Sequence, residues 1–196
     1  MRLPNNLNTK TGWEFFETSF EEKHIVTTGS NFMLGNGYLG YRGTFAEWEA
    51  DRYVACIVSD TYDAAQDNRR ELCNVPNGLY TKLHLDGEIV SAFQGKTSDY
   101  QRMLDMRHGL FSRSQTWESD RGLAVSMDVE KFASFANVHL ISMKYRFRVE
   151  QDAEVELLTG IDGKVWSLTG EHFKTSQTFL EEGLIGIECV TVEKEI

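Results

Sequence analysis

Proline is almost missing from this chain, with two residues, Pro4 and Pro76, among 196. That scarcity excludes proline-rich linkers, and no low-complexity block or repeat divides the sequence. Cysteine is as sparse: Cys56, Cys73 and Cys189 are odd in number and form no C-x-x-C pair. They exclude a disulfide framework or a zinc ribbon and read as buried free thiols of a reducing cytoplasm. Positive charge is short, 20 Lys and Arg against 30 Asp and Glu, for a formal net charge of -10. Non-specific nucleic-acid binding needs clustered cations, so no nucleic-acid partner is expected. No stretch approaches the ~20 apolar residues of a membrane span. The polar opening Met1-Arg2-Leu3-Pro4-Asn5-Asn6 lacks a signal peptide's apolar core, so neither membrane nor export is expected. His24, His84, His108, His139 and His172 form no H-x-x-x-H or H-E-x-x-H pair, and no metal is expected.

What is present is the period of β-strands. Leu79, Thr81, Leu83 and Leu85 alternate with Tyr80, Lys82 and His84 before Asp86-Gly87 turns the chain. Leu123 to Val129, Ile141 to Val149 and Val155 to Ile161 repeat the pattern, and Leu184 to Val192 reads as a further strand. Tyr53 to Val58 is continuously apolar and suits a strand buried on both faces. Helical period is weak; Trp13 to Glu22 reads as a helix or an irregular arm. Many short strands with turn signals predict an all-β chain, an antiparallel sandwich or barrel, as one domain over residues 1–196. The ending Glu193-Lys194-Glu195-Ile196 follows close behind a strand, and the expectation is a sandwich truncated at its C-terminal end.

The densest signal is Gly35-Asn36-Gly37-Tyr38-Leu39-Gly40-Tyr41-Arg42-Gly43. Gly35, Gly37 and Gly40 match G-x-G-x-x-G, which has meaning only between a strand and a helix that receives a pyrophosphate. Gly43 falls where that helix should run, and no Gly-Lys-Ser/Thr ending follows. The run therefore reads as a tight Asn-Gly hairpin whose two central residues take positive φ.

Chemistry is hard to find. Paired carboxylates make a glycosidase, but 30 acids supply pairs anywhere. Glu154 and Glu156 read as an exposed strand face, Asp162-Gly163 as a turn, and Asp60 to Asp67 as a solvated loop. His84 and His139 read as sheet-face residues, and Trp13, Trp48, Trp117 and Trp166 as core rather than sugar platforms.

Five segments resemble one family, in its order. Asn31 to Gly43 with Glu47 is similar to an N-terminal signature of the maltose, trehalose and kojibiose phosphorylases, glycoside hydrolase family 65. Trp13-Glu14, Glu71-Leu72-Cys73-Asn74-Val75-Pro76-Asn77, Leu104-Asp105-Met106-Arg107-His108-Gly109-Leu110 with Arg113, and Ile161-Asp162-Gly163-Lys164-Val165 continue the likeness. One departure is Lys131-Phe132-Ala133-Ser134, where the family has Arg-Phe-x-Ser. The resemblance implies a β-sandwich of the galactose-mutarotase-like supersandwich type. It also implies a following (α/α)6-barrel, absent here, that carries the catalytic acid and binds phosphate.

In the intact enzyme the resemblance implies inverting phosphorolysis of an α-glucosyl disaccharide to β-glucose 1-phosphate, with inorganic phosphate as co-substrate and no cofactor. It carries no catalytic residue onto this chain. The domain is expected to support its own C-terminal barrel, to contribute to a homodimer and to help wall the disaccharide entrance. Tyr38, Tyr41, Arg42, Glu47 and Trp48 are the candidates for such an interdomain or entrance surface, and exposure of Tyr38, Tyr41 and Arg42 is the mark to look for. An independent carbohydrate-binding module and a mutarotase-like epimerase stand as alternatives.

Overall fold

The computed structural model describes residues 8–64 and 69–193. Strand β1 (Glu14–Glu17) is followed by a 3-10 turn and by helix α1 (Ile25–Asn31). A short hairpin, β2 (Leu34–Gly35) and β3 (Leu39–Tyr41), leads through a second 3-10 turn into β4 (Cys56–Ala64) and β5 (Arg70–Val75). Next come the hairpin β6 (Asn77–Leu85) and β7 (Glu88–Ile89) and the meander β8 (Lys96–Asp105), β9 (Leu110–Glu118), β10 (Ala124–Ala133) and β11 (Ile141–Val149). β12 (Val155–Asp162) and a last hairpin, β13 (Phe173–Glu181) and β14 (Leu184–Thr191), follow.

Every pairing is antiparallel. A five-stranded sheet, β1-β8-β9-β10-β11, packs against the sheets β2-β3-β4-β5 and β12-β6-β7, with β13-β14 beside them. The period of two decides which side chains meet. Leu83, Leu85 and Val90 from one layer enclose Trp117, Val125 and Met127 from the other. Tyr41, Phe45, Trp48, Val54, Cys56 and Leu79 close on Tyr100, and Phe32 and Leu34 on Leu104 and Phe111. The chain is an all-β antiparallel sandwich.

Four local expectations are corrected. Trp13, read as core, is 57% exposed beside the edge strand β1. Trp13 to Glu22 holds neither a helix nor a free arm: Glu14–Glu17 pairs with β8 in register Glu14↔Asp105, and the helix starts at Ile25. Tyr53 lies outside the strand that its apolar run suggested, because it ends the 3-10 turn at φ 57 and β4 begins at Cys56. Asp60 to Asp63 is part of β4, with Asp60 at φ 67, not a solvated loop; Asp67 lies outside the described residues.

The two hairpin signals resolve differently. Asp86 and Gly87 both take positive φ, as a type I′ turn requires. In the glycine run only Gly37 does, at φ 88, and the pairs Leu34↔Tyr41 and Gly35↔Gly40 centre the turn on Gly37-Tyr38. A lone positive φ at the first central position is the pattern of type II′. Asn36 is thus displaced from the turn centre to its flank. Its Oδ1 accepts the N–H groups of Tyr38 and Leu39, while its Nδ2 donates to the carbonyls of Ser134 and Val138.

Candidate functional site

Gly43 fixes what the glycine run is for. A Cβ there would stand 2.3 Å from Cβ of Phe32, so only glycine lets the chain pass. Beyond it residues 43–48 run into the sandwich as a plug, buried throughout. Three cations from successive strands of the five-stranded sheet hold the plug. Arg102 Nη1 donates to the Gly43 carbonyl at 3.0 Å, and Lys131 Nζ to the Thr44 carbonyl at 2.9 Å. Arg113 Nη1 donates to both oxygens of Glu47, at 2.9 and 3.2 Å.

Arg102 and Arg113 are direct cross-strand partners, an arrangement of like charges that a sheet disfavours. Two anions and a ring relieve it. Glu17 accepts from Arg102 Nη2 at 2.5 Å and from the Tyr100 hydroxyl at 2.6 Å. The Phe45 ring lies 3.9 Å from the Arg113 guanidinium carbon and 5.2 Å from that of Arg102, within cation–π reach. Among the described residues Lys131 has no carboxylate of its own. Burial, then Arg113, pull its ammonium down to about 7, with Glu47 pulling the other way and Arg102 adding to the fall.

This geometry corrects most of the expected interdomain surface. Tyr41 is 1% exposed and donates its hydroxyl to Asn77 Oδ1 at 2.8 Å. Burial pushes the Tyr41 phenol well above its ordinary range. Glu47 is spent on Arg113, and Trp48 packs against Phe45, Phe93 and Phe20. All three are interior groups with no surface to offer. Arg42 is half-buried, donating to the Val26 carbonyl and to Ser30 Oγ along α1. Tyr38 is half-buried, its ring 4.4 Å from that of His139. His139 therefore lies in the β10–β11 connection and not on a sheet face, whereas His84 is on β6 against Glu156 at 2.9 Å.

Sequence reasoning missed a second buried cluster. His172 directs Nδ1 to Asp63 Oδ2 at 3.2 Å and Nε2 to Glu71 Oε1 at 2.7 Å. Both ring nitrogens thus face carboxylates, one on β4 and one on β5. Burial pushes the Asp63 and Glu71 carboxyls up. The Glu193 N–H and His172 outweigh it at Asp63, His172 and Thr169 at Glu71, so both carboxyls end lower than usual. The chain neighbours give no sign of this meeting, because the carboxylates lie about a hundred residues from the histidine. Cys56 and Cys73 are buried free thiols, and burial pushes both up to about 11, far from thiolate chemistry.

Among the described residues no group of three His, Cys, Asp or Glu could hold a metal ion. Two open clefts flank Asp162-Gly163-Lys164. One of about 350 Å³ is lined by Glu49, Tyr80, Leu158, Gly160, Asp162 and Lys164. The other, about 580 Å³, runs along Trp166 and residues 170–176.

The segments that resembled the phosphorylases thus meet inside the molecule: Glu47 on Arg113, Tyr41 on Asn77. A family model described as glycosyl hydrolase family 65, N-terminal domain, matches residues 15–196. The chain belongs to that family. It is 41% identical over 193 residues to the 1,2-alpha-glucosylglycerol phosphorylase of Bacillus selenitireducens, covering 98% of this chain and 25% of that protein. It is 33% identical to the nigerose phosphorylase of Lachnoclostridium phytofermentans, across 82% of this chain and 21% of that protein. A solved chain described as a kojibiose phosphorylase from the human microbiome superposes with a TM-score of 0.87, covering 98% of this chain and 27% of that one. At 19% identity that likeness shows a shared fold. This family 65 domain spans about a quarter of the length of the relatives it matches.

Proposed function

We propose that this family 65 domain is the non-catalytic N-terminal part of a cytoplasmic glycoside phosphorylase. The observation that carries the reading is how its placed acids are used. Glu17, Glu47, Asp63 and Glu71 are committed to Arg102, Arg113 and His172 inside the fold, where none can reach a glycosidic bond. Chemistry then falls to the three quarters of length that its relatives have and this chain does not.

The reaction proposed for the intact protein is inverting phosphorolysis of an α-glucoside to β-glucose 1-phosphate, needing inorganic phosphate and no cofactor. A general acid on the barrel protonates the glycosidic oxygen while phosphate takes the place of the attacking water. The relatives carry the names of an α-glucosylglycerol and of disaccharides, so the shared substrate feature is the α-glucosyl group. Exposed apolar side chains on the last hairpin, with Leu180 at 73% and Leu184 at 69%, support docking against the barrel or a second subunit. Tyr38 and Arg42 are the half-buried residues of the run that remain available at an entrance.

The test is a product assay on the barrel-containing protein. Glucosylglycerol, kojibiose, nigerose, trehalose and maltose are each supplied with and without phosphate. Phosphate-dependent β-glucose 1-phosphate from at least one supports the reading; glucose released equally without phosphate contradicts it.

A further inference from the structure

We propose that the cleft over Tyr80 binds a neutral hexopyranose unit. β6 and β12 are neighbours, and on their outward face Tyr80 stands directly opposite Gly160. The register breaks between Gly160 and Asp162, a bulge of the kind that re-aims side chains at binding sites. A Cβ built on Gly160 meets nothing within 4 Å, so the place a cross-strand side chain would fill is open beside the ring. The cleft's volume of about 350 Å³ lies within the range of small-molecule sites.

The ring is fixed in place. Its hydroxyl donates to Glu49 Oε1 at 3.0 Å, and Lys82 Nζ donates to the same oxygen at 2.8 Å. Lys82, then Tyr80, hold the Glu49 carboxyl below its ordinary range, so it is a permanent acceptor, and Oε2 has no protein donor among the described residues. Asp162 Oδ1 accepts the Lys164 N–H at 3.0 Å and sets the opposite wall. Leu158, half exposed, adds an apolar patch.

Charge selects the ligand. Two carboxylates, Glu49 and Asp162, balance two ammonium groups, Lys82 and Lys164, so the cleft offers no surplus cation to a phosphate or nucleotide. An aromatic face, an apolar patch and paired hydrogen-bonding groups match a pyranose, whose C–H face stacks and whose hydroxyls both donate and accept. The site lies apart from the buried plug, and it is not one of the tryptophan platforms considered from sequence. That the sugar is glucose rests on the phosphorylase reading; that it is a pyranose rests on the cleft alone.

The experiment is an amide-shift titration of this chain with methyl α-glucoside, with sorbitol as an open-chain control. Saturable shifts at millimolar sugar are expected at Tyr80, Gly160 and Lys164, and none with sorbitol. Gly160→Val puts a side chain into the open place, its Cβ meeting nothing within 4 Å, and Tyr80→Leu removes the platform. Each should weaken binding about tenfold or more at an unchanged melting temperature. Absence of saturable shifts in the unsubstituted chain overturns the proposal, as do shifts that survive both substitutions or that sorbitol reproduces. The phosphorolysis assay fails or succeeds separately, on the barrel-containing protein.

Discussion

Glu47 and Arg113 illustrate how a buried charge is held in place more than it stabilises. Taking both ions from water costs about as much as their attraction returns, so the pair adds little net stability. Breaking it is different. Glu47→Leu leaves Arg113 buried and unpaired and should cost ~3–5 kcal/mol, whereas the double replacement Glu47→Leu with Arg113→Met should recover most of that loss. Urea unfolding of the single and double variants checks this. Lys131 gives a pH signature. Its folded pKa of about 7 lies below the unfolded value near 10.4. Between these values the unfolded chain binds more protons, so stability should rise with pH by at most ~1.4 kcal/mol per unit. Lys131→Met removes that slope, and unfolding midpoints from pH 7 to 9 should show the gap between wild type and variant changing steadily with pH.

At the scale of elements, the last hairpin is fastened at its base. His172 sits before β13 and Glu193 just after β14, and both bond to Asp63 on β4. Asp63 and Glu71 have folded pKa values below their unfolded ones, so their contribution is present above the unfolded values near 4 and lost as pH falls through the folded ones. Amides of β14 should therefore lose exchange protection on acidification before those of β9 and β10 do. Equal loss in all three strands would show that the cluster does not govern the hairpin. These attachments were hidden in the sequence, where period and turn chemistry reveal local matters only. The alternation in β6 and β10 and the Asp86-Gly87 turn were legible because one residue's neighbours decide them. The II′ turn was not, since Asn36 is drawn aside by carbonyls of Ser134 and Val138, some hundred residues away. Glu47 carried a family signal but no sign of burial, because Arg113 is its partner only through the fold.

For the whole molecule, the residues that carry the family signature face inward, and contacts outward are made by other groups. The β13–β14 hairpin carries exposed apolar surface, while the cleft at Tyr80, walled by β6 and β12, carries a polar one. Both lie away from the plug that identifies the family. On the proposed function this sandwich does not perform the reaction itself. The most direct measurement is to incubate the purified chain with phosphate and the α-glucoside that the barrel-containing protein cleaves, and to assay β-glucose 1-phosphate. No product above the enzyme-free control is predicted; turnover by the sandwich alone would overturn the non-catalytic reading.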